Sequence, residues 1–168
     1  MIRRNVENGS PAAMRQLGSK YTDSDTGLVP SHKKAARLYQ RAADLGDVGA
    51  MSTLGGAHIK GNGVKLDKKK AAKYYRIAAD RGYSNAQYNL GICFEDGVGV
   101  AQDYAEAVRF YKLAAEQGYA EADYNLGFMY ANGEGVAQGI AEATRWFERA
   151  AAKGHENAKG ALALIKSR

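Results

Sequence analysis

The sequence predicts an all-α protein: a right-handed α-α superhelix, or solenoid, of four helix-turn-helix repeats with a C-terminal capping helix. Three recurring patterns support this fold class. An Ala-Ala pair followed three residues later by glycine occurs four times at intervals of 36 residues, with its glycine at Gly46, Gly82, Gly118 and Gly154. A Leu-Gly pair and a Gly-Xaa-Gly-Val loop recur in the same phase. Helix pairs of this size cannot bury their apolar faces alone, so successive pairs must stack.

The repeat register divides the chain into six segments. Residues 1–12 are expected to end a preceding partial repeat, and residues 158–168 to form the C-terminal helix. The four repeats lie between them, at residues 13–49, 50–85, 86–121 and 122–157. The first interval between Leu-Gly pairs is 37 residues, because the loop from Thr22 to Thr26 holds one extra residue. A loop tolerates such an insertion at little cost.

The first helix of each repeat carries an apolar stripe of helical period. In the third repeat Ala86, Leu90 and Phe94 stand at i, i+4 and i+8, and the neighbouring repeats keep this spacing. Gly91 lies inside the stripe. Glycine within a helix costs about 1 kcal/mol relative to alanine, so its recurrence predicts a neighbouring backbone that passes too close for a side chain.

The second helix of each repeat presents small and aromatic residues on one face. In the third repeat Ala107, Phe110 and Tyr111 stand at i, i+3 and i+4. Side chains able to cap free backbone N–H groups mark the helix starts, at Ser31, Asp67 and Asp103, with Gly139 as a weaker cap in the last repeat. The glycines of the 36-residue series suit the left-handed conformation after a helix end.

Charge and cysteine content restrict the classes of function. Residues 1–84 hold 16 Lys and Arg against 7 Asp and Glu, and residues 85–168 hold 8 against 11, so the halves carry +9 and −3. Such asymmetry steers an acidic partner or merely keeps a protein soluble. Cys93 is the only cysteine, so no intramolecular disulfide forms, and a reducing compartment is the simpler interpretation. Without a membrane-spanning stretch or signal peptide, we expect a soluble, intracellular (cytoplasmic) protein.

The recurring residues resemble the Sel1-like repeat family. The third repeat shows the resemblance best, in Ala86, Leu90-Gly91, Gly97-Val98-Gly99-Val100, Asp103, Tyr111 and Ala114-Ala115. Tetratricopeptide repeats are similar, but their period of about 34 residues lacks the glycine-rich loop. The resemblance implies a non-catalytic adaptor that binds another protein. Some bacterial relatives have a disulfide in each repeat and are linked to β-lactam binding, and β-lactamase-like activity is a third, disfavoured option because this chain has only Cys93.

The residue types indicate no catalytic, metal or cofactor site. The histidines, His32, His58 and His155, have no metal-ligand spacing. His58 occupies the position of Phe94 in the next repeat, which favours a packed structural histidine over a ligand. Cys93 lies within a first helix, where a small buried hydrophobe is favoured over a redox group. We therefore expect no enzyme and no cofactor.

The first helices are the predicted partner-binding elements. In tetratricopeptide-like folds they line the concave surface, and the resemblance places the contact residues around each Leu-Gly pair, at Arg15, Gln16, Ser52, Thr53, Tyr88, Asn89, Ile92, Tyr124, Asn125 and Phe128. The asparagines could bind a peptide backbone, and the aromatic residues offer broad apolar contact. The alternative is that the tyrosines pack between first helices while the asparagines bond neighbouring repeats. We expect a monomer or a weak oligomer.

A basic patch marks the second helices of the first half, at Lys33, Lys34, Lys68, Lys69, Lys70 and Lys73. On the convex side of a solenoid, a solvated face is the simpler interpretation. The alternative function is electrostatic attachment of this half to an acidic protein, an anionic membrane surface or RNA. No recognisable RNA-binding module supports the last of these.

Overall fold

A computed structural model describes residues 2–166. Within them the chain is helical without any β-strand, and the predicted all-α repeat fold is confirmed. The α-helices are α1 (Ile2–Glu7), α2 (Pro11–Thr22), α3 (His32–Asp44), α4 (Val48–Lys60), α5 (Lys68–Asp80), α6 (Ser84–Asp96), α7 (Tyr104–Glu116), α8 (Ala120–Asn132), α9 (Ile140–Ala152) and α10 (Glu156–Lys166). The C-terminal helix predicted over residues 158–168 overlaps α10, and residues 167 and 168 lie outside the described residues.

The chain divides into two compact units, Met1–Tyr83 and Ser84–Arg168, called unit 1 and unit 2 below. In unit 1, α2 pairs with α3 and α4 pairs with α5. In unit 2, α6 pairs with α7, α8 pairs with α9, and α10 packs on α9. Each pair is one repeat, so the third repeat is α6 with α7 and the fourth is α8 with α9.

A glycine and an aromatic ring lock the two helices of each repeat together. A Cβ atom on Gly91 would lie 2.5 Å from Cε1 of Tyr111, and one on Gly127 would lie 2.5 Å from Cε1 of Phe147. The equivalent pairs in unit 1 are Gly18 with Tyr39 and Gly55 with Tyr75. The glycine therefore makes room for a ring of the second helix, and the prediction of a closely passing backbone is wrong in that detail.

The helix ends follow the capping pattern of the sequence. The side chains of Ser31, Asp67 and Asp103 each accept a hydrogen bond from a backbone N–H in the first turn of α3, α5 and α7. Gly139 gives α9 no side-chain cap. The glycines after the second helices have φ between +81° and +91°, the left-handed region, at Gly46, Gly82, Gly118 and Gly154. These predicted caps are confirmed.

The Gly-Xaa-Gly-Val loop rests on the start of the preceding second helix. Gly63 in unit 1 has a φ of +73°, and a Cβ atom there would collide with the backbone carbonyl of His32 at the start of α3. Gly135 approaches Tyr104 at the start of α7 in the same way. The second glycine of the loop is thus required by both its conformation and its neighbour, and it holds consecutive repeats of one unit together.

Candidate partner-binding groove

An apolar groove opens between α8, α9 and α10 of unit 2. Its volume is about 560 Å³. It is lined by Tyr124, Phe128, Ala131, Asn132, Ile140, Phe147, Asn157, Gly160, Ala161, Leu164 and Ile165. Three of these side chains, Tyr124, Asn132 and Asn157, carry a polar group and the others are apolar or lack a side chain, so the site is suited to a largely apolar partner surface.

Three aromatic rings form one side of the groove. The ring of Phe128 meets Tyr124 edge to face at 4.9 Å and Phe147 at 5.1 Å between centroids. Phe147 is fully buried, whereas Phe128 is 40% exposed. The ring of His155 stacks on that of Tyr124, with 4.2 Å between their centroids. The buried ring fixes the exposed one, so Phe128 presents a rigid apolar surface to solvent.

The opposite wall belongs to α10, for which no site was predicted from the sequence. Leu164 is 69% exposed, and the wall beside it is low because it consists of Gly160 and Ala161. Ile140, at the start of α9, is 50% exposed and closes one end. The repeat spacing does indicate this wall, because Leu164 stands one repeat length of 36 residues after Phe128.

The third repeat has a polar network at the positions that form the groove in the fourth. The Tyr111 hydroxyl donates a hydrogen bond to the Glu95 carboxylate. The Asn125 amide lies beside the hydroxyls of Tyr88 and Tyr111, where it counteracts part of the rise that burial causes in the pKa of each. Burial raises the pKa of Glu95, and the hydrogen bond from Tyr111 opposes part of that rise. Tyr111 is fully buried and the other three residues are partly buried, and the carboxylate of Glu95 gives the buried hydroxyl the partner that a polar group removed from water needs.

Thirty-six residues along the chain, this network is replaced by apolar side chains. Glu95, Tyr111 and Asn125 correspond to Ala131, Phe147 and Ala161. All three replacements line the groove. These three replacements make the fourth repeat apolar here, and Gly160, which corresponds to Tyr124, leaves the neighbouring part of the groove open.

The two predicted asparagines are engaged within unit 2. Asn89 donates its side-chain N–H to the backbone oxygen of Asn85 at 2.7 Å, and Asn125 bonds the two tyrosines described above. Tyr88 packs against the ring of Tyr119 at 4.9 Å, and Ile92 is half-buried. Of the predicted unit 2 residues, the structure thus brings Tyr124 and Phe128 together at the groove, and it directs the asparagine amides to neighbouring side chains and backbone.

The predicted residues of unit 1 lie on α2 and α4. Arg15 forms an ion pair with Asp47 at 3.0 Å, and Ser52 is buried. The Thr53 hydroxyl donates to the backbone oxygen of its own helix at Gly49, at 2.9 Å. Gln16 is exposed on α2.

The histidine and the cysteine singled out in the sequence are structural. His58 is buried, its ring stacks on Tyr74 at 5.8 Å, and its Nδ1 lies 2.9 Å from the backbone oxygen of Lys65. Cys93 is 2% exposed, and burial raises the pKa of its thiol to about 11. Both predictions of packed side chains are confirmed. Across residues 2–166 no group of three or more His, Cys, Asp or Glu side chains is arranged to hold a metal ion.

The six lysines of the predicted basic patch are all exposed on unit 1. Two of them lie over aromatic rings, since the Lys34 ammonium is 5.4 Å from the Tyr21 centroid and the Lys70 ammonium is 5.8 Å from that of Tyr74. In the described part of the chain, no helix has the length and apolar character needed to cross a bilayer. The intracellular location stays a prediction.

Comparison with known proteins places these features in one family. The sequence profile of the Sel1 repeat matches residues 11–47, 49–83, 84–119 and 120–155. A protective antigen of uropathogenic Escherichia coli with an SLR fold is 35% identical with a TM-score of 0.92, and the match covers 98% of this chain and 35% of that one. A Sel1 repeat protein from Oxalobacter formigenes is 32% identical with a TM-score of 0.87, over 92% of this chain and 62% of that one.

A third similar structure is that of a cysteine-rich protein. Helicobacter pylori cysteine-rich protein B is 28% identical with a TM-score of 0.63, and the match covers 81% of this chain and 98% of that one. A search of curated proteins gives no match. The present chain spans less than two thirds of the length of the first two relatives.

Proposed function

Since the chain belongs to the Sel1 repeat family, we propose that it is a protein-binding scaffold whose groove between α8, α9 and α10 holds an amphipathic helix of a partner protein. Sel1 repeat proteins are generally non-catalytic scaffolds for protein interactions. The observation that carries the proposal is the solvent-open apolar groove, with Phe128 and Leu164 exposed on its two walls.

The shortage of polar groups in the groove favours a helix over an extended peptide. An extended segment needs partners for its backbone N–H and C=O groups, whereas a helix satisfies its own. The amides predicted to bind a peptide backbone, on Asn89 and Asn125, are engaged within unit 2. The small side chains of Ala131, Gly160 and Ala161 allow a helix to approach closely.

The length of the groove and the charge around it further define the partner. From Tyr124 to Asn132 the wall on α8 extends for about 12 Å at 1.5 Å per residue, which matches about two turns of a bound helix. Such a helix would present apolar side chains at i, i+3 or i+4, and i+7. Residues 85–168 carry a net charge of −3, which favours a partner with basic residues beside its apolar stripe.

Selection from a peptide library tests this function. A phage-displayed library of amphipathic helical peptides is selected on the protein, and an enriched peptide is measured by fluorescence anisotropy. We expect an apolar stripe with basic flanks. Phe128→Glu and Leu164→Glu should each weaken binding by about tenfold or more, because each places a charge on the apolar contact.

The matched control is Leu45→Glu, which changes a leucine that is 57% exposed in unit 1 and should leave peptide affinity unchanged. Circular dichroism establishes that each variant is folded. Unchanged affinity in both groove variants, or enriched peptides without an apolar stripe, would contradict the proposal. β-lactamase-like activity is not proposed, because the chain has one cysteine and cannot form the intramolecular disulfides of the relatives suggesting it.

A further inference from the structure

The second helices of unit 1 begin with charges of the unfavourable sign. The first three residues are His32, Lys33 and Lys34 in α3, and Lys68, Lys69 and Lys70 in α5. The N-terminus of a helix carries a partial positive charge that disfavours cations. At the third helical position, α7 and α9 of unit 2 have Glu106 and Glu142, which carry the favourable charge. Helix stability alone therefore does not explain the lysines of unit 1.

The same lysines are not neutralised by neighbours. Within residues 2–166, none of the six exposed lysines at positions 33, 34, 68, 69, 70 and 73 has a carboxylate within ion-pair distance. Lys69 and Lys73 stand at i and i+4 on α5, where like charges repel. The surface is thus available to an anionic partner, which would relieve this repulsion.

The two lysine-bearing helix starts belong to one edge of unit 1. The Tyr74 hydroxyl of α5 donates a hydrogen bond to Gln40 of α3 at 2.9 Å, so the two helices lie side by side. The loop before α5 rests on the start of α3 at Gly63. Lys69, Lys70 and Lys73 line an open cleft of about 550 Å³ with Asp67, Tyr74 and Ile77.

Exposed aliphatic side chains stand beside the lysines on this edge. Val29 is 81% exposed in the loop that leads to α3, and Leu66 is 55% exposed in the loop that leads to α5. In unit 2 the corresponding loop positions hold small or polar residues, namely Ala101, Gln102, Ala137 and Gln138. At these loop positions, aliphatic residues as large as Val29 and Leu66 thus occur in unit 1 beside the lysines and not in unit 2.

We propose that this basic edge, defined as Val29, Leu66 and the six lysines, docks on the surface of a bilayer that contains anionic phospholipid. Lysines are attracted to the negative potential of such a surface, and exposed aliphatic side chains enter the boundary between headgroups and acyl chains. RNA or an acidic protein segment would use the lysines but would leave Val29 and Leu66 in water. The combination favours the bilayer, and peripheral docking requires no helix that crosses it.

Vesicle flotation tests the proposal with the protein as described. One set of vesicles contains phosphatidylcholine alone, and in the other phosphatidylglycerol replaces about a third of it. We expect binding to the second set only, and we expect it to fall steeply between about 0.1 M and about 0.5 M salt. Equal binding to both sets, or no binding to either at the lower salt, overturns the proposal.

Two variants separate the contributions of charge and apolar contact, and both use residues that unit 2 has at the corresponding positions. Lys34→Glu/Lys70→Glu installs the glutamates of α7 and α9, so the fold should tolerate it, and vesicle binding should fall by about a hundredfold or more. Val29→Ala/Leu66→Gln keeps the charge and should reduce binding by about fivefold. If Val29→Ala/Leu66→Gln leaves vesicle binding unchanged, the edge is an electrostatic surface for nucleic acid or an acidic protein, and the bilayer proposal is overturned.

The charge control is Arg41→Glu/Arg81→Glu, at the opposite ends of α3 and α5. It removes as much positive charge from unit 1 as the lysine variant does, but away from the basic edge. It should retain most vesicle binding. If it loses as much as Lys34→Glu/Lys70→Glu, net charge and not the edge is responsible, and the proposal fails.

Discussion

The third and fourth repeats share one framework but differ in the chemistry they expose. Both have a first-helix glycine under a second-helix ring, at Gly91 with Tyr111 and at Gly127 with Phe147. Around that contact, the third repeat has a hydrogen-bonded network, whereas the fourth has alanines and a ring without a hydroxyl. The glycine–ring contact therefore fixes the helix pair, while the residues around it determine whether a surface is closed and polar or open and apolar.

A second pair of positions shows the same separation of framework and chemistry. In the third repeat the Gln117 amide donates to Gln87 at 2.7 Å. In the fourth repeat these positions hold Lys153 and the fully buried Asp123, which form an ion pair. A neutral pair and a charged pair thus join the same two elements, so repeats exchange the type of polar contact without altering the fold.

The largest expected effect tests the shared framework. Gly91→Ala and Gly127→Ala each place a methyl group against a buried ring, and each should lower the free energy of unfolding by about 2 kcal/mol after the helical advantage of alanine is included. Urea unfolding measures it. The control is Gly160→Ala, whose Cβ would meet no atom within 4 Å and which should stabilise by up to about 1 kcal/mol. If Gly91→Ala or Gly127→Ala left the protein as stable as Gly160→Ala does, the glycine–ring contact would not be a framework common to both repeats.

A smaller effect is expected from installing the polar pair of the third repeat in the fourth. Ala131→Glu places a carboxylate beside Phe147, which has no hydroxyl to bond it, and should lower the free energy of unfolding by about 1–2 kcal/mol. Adding Phe147→Tyr recreates the Glu95–Tyr111 pair and should recover about half of that loss. Both variants should lose peptide binding at the groove. If the double variant lost as much free energy of unfolding as the two single variants lose together, the explanation by a matched Glu–Tyr pair would be contradicted.

The smallest effect is a pH dependence specific to the third repeat. Burial raises the pKa of Glu95 in the folded state, so the folded protein holds this proton more tightly than the unfolded chain does. The resulting stabilisation is present at low pH and is lost as the pH rises from the ordinary carboxyl pKa of about 4.3 through the raised value. Relative to Glu95→Gln, the wild type should lose about 1 kcal/mol or less between those limits. The measurement is the free energy of unfolding in urea at a series of pH values. If the wild type and Glu95→Gln show the same pH dependence, the raised pKa does not belong to Glu95.

The repeat fold was predictable because its determinants are local and recur. Capping side chains, left-handed glycines and the apolar stripe each act within a few residues, and four copies make the pattern unmistakable. The ring that covers Gly91 was not identified, since a glycine in a helix indicates a close neighbour without saying whether it is a backbone or a side chain. Tyr124 and Phe128, which the sequence predicts as partner-binding residues, both line the groove.

The remainder of the groove was not predictable from one first helix. Its opposite wall comes from α10, and its openness depends on the absence of side chains at Ala131, Gly160 and Ala161. Small residues give no signal of their own in a single sequence. Asn125 was expected to face a partner, but its bonds to Tyr88 and Tyr111 depend on how α6, α7 and α8 pack, which spacing along the chain does not determine.

The glycine–ring contact has an evolutionary consequence. Because it lies within one repeat and is independent of the side chains around it, a lineage can gain or lose a recognition site without rebuilding the scaffold. Glu95→Ala, Tyr111→Phe and Asn125→Ala are among the changes that separate the network of the third repeat from the groove of the fourth, together with Gly160 in place of Tyr124. Binding specificity in such a chain can therefore move from one repeat to the next by a few point mutations, while helix pairing is inherited unchanged.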